Sequence, residues 1–206
     1  MNPVKVILTD LDGVIRHWNS GVLHRKEASL GLKSGHLFSI SFEKTLLSQV
    51  ITGKISDNQW RGLVQARLSN QIGELLSNEL VAAWTDSTVR IDKIILKIYK
   101  AHFPKAKVFL TTNATTRLNQ DLSSHGLDGL FDGIFNSSEL GAAKPDKAYF
   151  KEVMKRLRLT SEYIIYVDDS AANVQAAQHL GIKSHLYQDH ARLTTFLSEM
   201  KQIAPG

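Results

Sequence analysis

The stretch Val4-Lys5-Val6-Ile7-Leu8-Thr9-Asp10-Leu11-Asp12-Gly13 decides how this chain is read. Residues 4–9 are a short, largely apolar run of strand length, and Gly13 supplies a turn that ends it. Asp10 and Asp12 therefore stand together at a strand end. Two carboxylates so placed are costly to hold unless something cationic sits between them. The chain contains no cysteine, so a metal here would be held by oxygen or imidazole, which favours a hard cation such as magnesium.

Outward from this stretch, strand-like runs at 106–111, 133–136, 163–167 and 183–187 alternate with amphipathic helical patterns. Ile91, Ile94, Ile95, Ile98 and Tyr99 mark one helical face, Tyr149, Phe150, Val153, Met154 and Leu157 another, and Leu193, Phe196, Leu197 and Met200 the last. Gly126 and Gly181 fall where two of the helices should stop in a left-handed cap. Strand and helix in repetition predict an α/β fold, a Rossmann-like parallel sheet with helices on both faces. The segment 18–84 breaks the rhythm. It shows no convincing strand, but three helical patterns centred on Leu46, Val64 and Leu80, with Ser56 and Gln59 spaced as a capping box. The expected organisation is a core of 1–17 and 85–206 and a small all-helical cap of 18–84, inserted after the first strand on short joints near 13–21 and 84–88.

In an open parallel sheet, ligands bind beyond the carboxyl ends of the strands. Those ends carry Asp10 and Asp12 after the first strand, Thr111-Thr112-Asn113 after the second, Lys144-Pro145-Asp146 beyond the third and Asp168-Asp169-Ser170 after the fourth. With Asn173 these four stretches resemble, in order, the motifs of the haloacid dehalogenase-like hydrolases. The resemblance covers the core, and the helical insert sits where members with a C1 cap carry theirs. It implies a magnesium-dependent phosphatase that forms an aspartyl-phosphate. Asp10 is then the nucleophile and a metal ligand, Asp168 a direct ligand, Asp169 a ligand through water, and Asp12 a ligand through its backbone carbonyl. Lys144, Thr112 and Asn113 hold the transferred group. Asp12 also serves as acid and then base, as one carboxyl can in two successive half-reactions. Because halide leaves without a proton, Asp12 favours phosphate esters over 2-haloacids. A sugar phosphomutase of the same superfamily is the alternative, with a dehalogenase or a non-catalytic binding module behind it.

The remaining composition narrows the partners. A net charge of +5 at pI about 9.4 could mark a nucleic-acid binder, but the basic residues are scattered at helical spacings, as on solvated faces. No run reaches the ~18 apolar residues of a membrane span, and Met1-Asn2-Pro3 leads into a strand rather than a signal peptide. The expected setting is cytoplasmic, the partner a small phosphorylated metabolite, and the oligomeric state open. His24, Arg25, Lys26, Lys33 and His36 read as a solvated face, Arg16 and His17 likewise, and Trp18, Trp60 and Trp84 as core of the insert.

Overall fold

The computed structural model describes residues 4–203. Along the chain, β1 (Val6–Thr9) and β2 (Arg16–Trp18) precede five helices, α1 (Gly21–Ser29), α2 (His36–Ser41), α3 (Lys44–Ile51), α4 (Asp57–Ile72) and α5 (Glu74–Thr85). Then come β3 (Val89–Ile91), α6 (Ile94–His102), β4 (Lys107–Thr112), α7 (Leu118–Ser124), β5 (Gly133–Asn136), α8 (Ser137–Leu140) and α9 (Lys147–Leu157). The order closes with β6 (Ile164–Asp168), α10 (Ala171–Gln178), β7 (Lys183–Leu186) and α11 (His190–Ile203).

The main sheet runs β5-β4-β1-β6-β7 with every pairing parallel. Period-two alternation along each strand divides its side chains between two apolar layers. Ile7, Val108, Leu110, Ile165 and Val167 face α6, α7 and α11, whereas Val6, Leu8, Ile164 and Tyr166 face α9 and α10. Burial on both faces explains why β1 and β6 read as continuous apolar runs. From β1 the chain passes to β4 and β5 on one side, then returns to β6 and β7 on the other. The carboxyl end of β1 thus lies at the switch point, where such sheets open a crevice.

The helical insert has its own apolar cluster, which includes Leu37, Val50, Trp60, Val64, Leu80 and Trp84. Ser56 and Gln59 form the expected reciprocal capping box at the start of α4. Gly73, at φ +82°, separates α4 from α5, which carry the second and third of the three expected helical patterns. The joints differ from expectation. β2 and β3 pair as an antiparallel ribbon, with Arg16 opposite Ile91 and Trp18 opposite Val89, and Asn19 N–H donates to the Thr88 carbonyl at 3.0 Å. Strands of three residues are too short to show an alternation, so the sequence pattern concealed them. Among the described residues, no helix is long and apolar enough to cross a membrane.

Candidate functional site

Beyond β1 the chain turns sharply. Gly13, at φ +84°, donates to the Arg16 carbonyl at 2.8 Å, and the Ile15 and Arg16 amides both return to Leu11 O. The left-handed backbone favours glycine, and so does the space: a Cβ at Gly13 would lie 1.8 Å from Asp169 Oδ2. The turn sends the two carboxylates in different directions. Asp10 points into the buried centre of the strand ends, and Asp12 points towards the insert.

Asp10 joins a tight ionic cluster. Lys144 Nζ donates to Asp10 Oδ1 at 2.8 Å, to Asp168 Oδ2 at 2.8 Å and to the Thr111 carbonyl at 3.0 Å, using all three of its protons. All three side chains are buried. Asp168 also accepts from Ser170 N–H at 2.8 Å, from Asn173 Nδ2 at 3.0 and 3.1 Å, and from the Tyr166 hydroxyl. Burial pushes the Asp10 carboxyl up to about 7; Lys144 pulls it down and Asp168 pushes it up again. Burial alone lowers Lys144, but Asp10 and Asp168 more than reverse this and leave it raised. Asp169 is raised by burial and by Asp168.

Asp10, Asp168 and Asp169 each offer a carboxylate oxygen within 4.8 Å of the others. This donor set is all oxygen, anionic and held by surrounding hydrogen bonds, which fits a hard divalent cation such as magnesium. The N-cap of α10 is Ser170 rather than Asp169.

Asn113 grips the lysine from behind. Its Oδ1 accepts from Lys144 N–H at 2.9 Å and its Nδ2 donates to Lys144 O at 2.8 Å, so a residue of the β4 end fixes the loop that follows α8. Thr112 is buried at the last position of β4, in register with Asn136. Pro145 stands before the helix rather than in it. The N-cap of α9 is Asp146, whose side chain accepts from Ala148 N–H at 2.8 Å.

Asp12 occupies a second, more open place. Arg16 Nε and Nη2 donate to its two oxygens at 2.7 and 2.9 Å, a bidentate clamp, and Trp18 Nε1 donates to Oδ1 at 2.7 Å. Arg16, expected to be solvated, is 4% exposed, and Trp18, expected in the insert core, is 48% exposed. Neither role shows in a local pattern, because it depends on the Gly13 turn folding the ribbon back over Asp12. Tyr166 was also overlooked, although its spacing of two from Asp168 on a strand places both side chains on one face. The basic residues of α1 and its surroundings lie on the surface, where Lys26 pairs with Glu79 and His36 with Gln71.

A doubly wound sheet with acids at its switch point, a buried lysine across from them and a helical insert after β1 defines a class of enzyme folds. The chain belongs to the haloacid dehalogenase-like hydrolases. The model of that family matches residues 85–186. The sesquiterpene phosphatase astK of Aspergillus oryzae is 27% identical over 86% of this chain and 87% of its own. The glyceraldehyde 3-phosphate phosphatase of Methanocaldococcus jannaschii is 26% identical over 87% and 82%. Other relatives are much longer: the chain spans 11% of the drimenol cyclase drtB of Aspergillus calidoustus, at 43% identity over 58 residues, and 39% of the bifunctional epoxide hydrolase 2 of Rattus norvegicus, at 25%. Among solved structures, a HAD family enzyme from Bacteroides thetaiotaomicron in complex with magnesium and inorganic phosphate shares the fold. Its TM-score is 0.73 at 22% identity, over 92% of this chain and 98% of that one.

Proposed function

We propose that this protein is a magnesium-dependent phosphatase acting on a small phosphorylated metabolite through an aspartyl-phosphate on Asp10. One observation carries the reading: two aspartates two residues apart have opposite environments, Asp10 buried against Lys144 and Asp12 turned towards a cavity under the insert. Relatives named as phosphatases and a structural neighbour holding magnesium and phosphate support it.

In this reading Asp10, Asp168 and Asp169 hold magnesium, with the Asp12 carbonyl, and 18–84 is the cap domain. Bound magnesium supplies positive charge that offsets the repulsion between the phosphate dianion and the acids. Asp10 attacks phosphorus, and as its P–O bond forms the bond to the leaving alcohol breaks. Asp12 delivers a proton to the departing oxygen, held in place by Arg16 and Trp18. In the second half, Asp12 takes a proton from the water that attacks the phosphoaspartate, which releases phosphate and restores Asp10. Thr112 donates to the transferred group, Lys144 faces it as a point charge from its place beside Asp10, and Asn113 holds Lys144 there. The cap excludes water while this happens.

Phosphate release from p-nitrophenyl phosphate tests the mechanism. Activity should need magnesium and vanish in D10N; full magnesium-dependent activity in that variant would end the proposal.

A further inference from the structure

The cavity beneath the insert has a volume of about 420 Å³, within the ~300–1,000 Å³ of small-molecule sites. One end is formed by Asp12 and Asn113, so it continues from the place where the leaving alcohol departs. The other end is apolar. Phe38 stacks on Phe42 with centroids 5.3 Å apart, Phe42 on Trp60 at 6.2 Å, and Trp60 meets Trp84 edge-on at 4.8 Å, with Leu47 and Ile51 beside them.

Most of the charged groups on the walls are already matched with one another; Arg16 Nη1 is the exception, buried without a hydrogen-bond partner and 3.9 Å from Asp121 Oδ2. Asp57 accepts from Arg61 Nε at 2.7 Å and from the Thr115 hydroxyl at 2.8 Å; Arg61 Nη1 donates to Thr85 at 2.9 Å and its guanidinium lies over the Trp84 ring. Arg117 pairs with Asp121 at 2.8 Å, and Arg16 with Asp12. A polyhydroxylated leaving group entering here would give up water at every hydroxyl and find all but one of these donors and acceptors taken, which disfavours sugars. An aliphatic chain loses nothing and gains burial against the aromatic wall.

The geometry points to a phosphomonoester of a long aliphatic alcohol as the substrate class, its chain lying along the aromatic wall and its phosphate at Asp10. This rests on the phosphatase reading and sharpens it. At roughly 30 Å³ per heavy atom, the cavity takes about ten to fourteen of them. Each methylene that enters should raise kcat/KM about two- to fourfold until the space is full.

The test measures phosphate released from ethyl, butyl, hexyl, octyl and decyl phosphate, with glycerol 3-phosphate and glucose 6-phosphate as polar comparators. The expected result is a rising series, with decyl phosphate ahead of glycerol 3-phosphate by at least about a hundredfold. In parallel, quenching of Trp60 and Trp84 emission is titrated with decylphosphonate and ethylphosphonate; only the long chain should saturate at micromolar concentration. Phe42 is 50% exposed, so F42S should spare the fold, and it should lower the decyl-to-ethyl ratio about tenfold. A flat series, or preference for either polar ester, overturns the apolar substrate and leaves the phosphatase standing. If no ester releases phosphate, the phosphatase reading falls; the phosphonate titration then decides the cavity, and equal binding of both chain lengths overturns it.

Discussion

Replacing Asp10 by Asn should stabilise the metal-free protein while removing its activity. The fold holds the Asp10 carboxyl at about 7 against an ordinary 3.8, chiefly through burial, with Lys144 opposing and Asp168 adding. A carboxyl raised in the fold binds its proton more tightly there than in the unfolded chain. Between those two values the folded state carries the extra proton, so stability falls as pH rises across the window and levels off above it. At 1.36 kcal/mol per pH unit, the gap between 3.8 and about 7 is worth about 4 kcal/mol. Asn keeps the shape of the neutral acid and cannot ionise, while Lys144 retains Asp168 and the Thr111 carbonyl. D10N should therefore differ little from the wild type near pH 4 and exceed it by up to about 4 kcal/mol at pH 8 in EDTA. In melting temperature that is up to ~8–16 °C, at ~2–4 °C per kcal/mol for a chain of this size. Urea unfolding of both proteins across pH reads the difference. Magnesium should narrow the gap, since a ligand at a hundred times its Kd adds about 2.7 kcal/mol to the protein that binds it. D10N no more stable than wild type at pH 8, or a difference unchanged between pH 4 and 8, refutes the reasoning.

Further outcomes follow from the same site. G13A forces a Cβ onto the Asp169 carboxylate at a left-handed backbone position, so magnesium affinity by calorimetry should fall at least tenfold, on the order of a lost outer ligand, with ~1–3 kcal/mol lost in unfolding. Y166F removes one of the donors to Asp168 while Lys144, Ser170 and Asn173 remain; chemical denaturation should register a loss of about 1–2 kcal/mol. R16M frees the Asp12 carboxyl from its clamp, and steady-state kinetics should show kcat reduced about 10- to 100-fold, part of the ~10²–10⁴ that a positioned proton-transfer group supplies. Magnesium affinity in R16M should hold, because Arg16 touches Asp12 and not the Asp10 cluster.

The acids at the strand ends were legible because the sheet is parallel and buried. An apolar strand broken by an acid, as at Thr9-Asp10 and Val167-Asp168, is a local signal, and the switch-point rule brings such ends together. The capping box at Ser56 and the left-handed glycines 126 and 181 are likewise local, and they stand where they were expected. What surrounds the acids was harder to read. The Asn113 grip on Lys144 joins residues 31 apart, and the Arg16 clamp depends on a turn whose outcome is not written in side-chain periodicity. Arg16 in a run of polar residues looks like a solvated cation until the ribbon buries it. The cavity was invisible for a related reason: Phe38, Phe42 and Trp60 satisfy a helical core pattern equally well whether they meet another helix or an open space.

The ribbon also marks where this molecule can be cut and rejoined. Arg16 and Trp18 lie on β2, so the groups that orient Asp12 travel with the core side of the joint, and the Asn19–Thr88 hydrogen bond closes the ribbon at its outer end. A transplant of residues 20–87 from another member of the superfamily would exchange the aromatic wall of the cavity and leave the Asp12 clamp of Arg16 and Trp18 on the recipient. A splice made at the turn itself, at Gly13, would carry Arg16 away with the donor segment. The border between the Asp12 clamp and the aromatic wall of the cavity is thus narrower than a domain border, set by one strand of three residues.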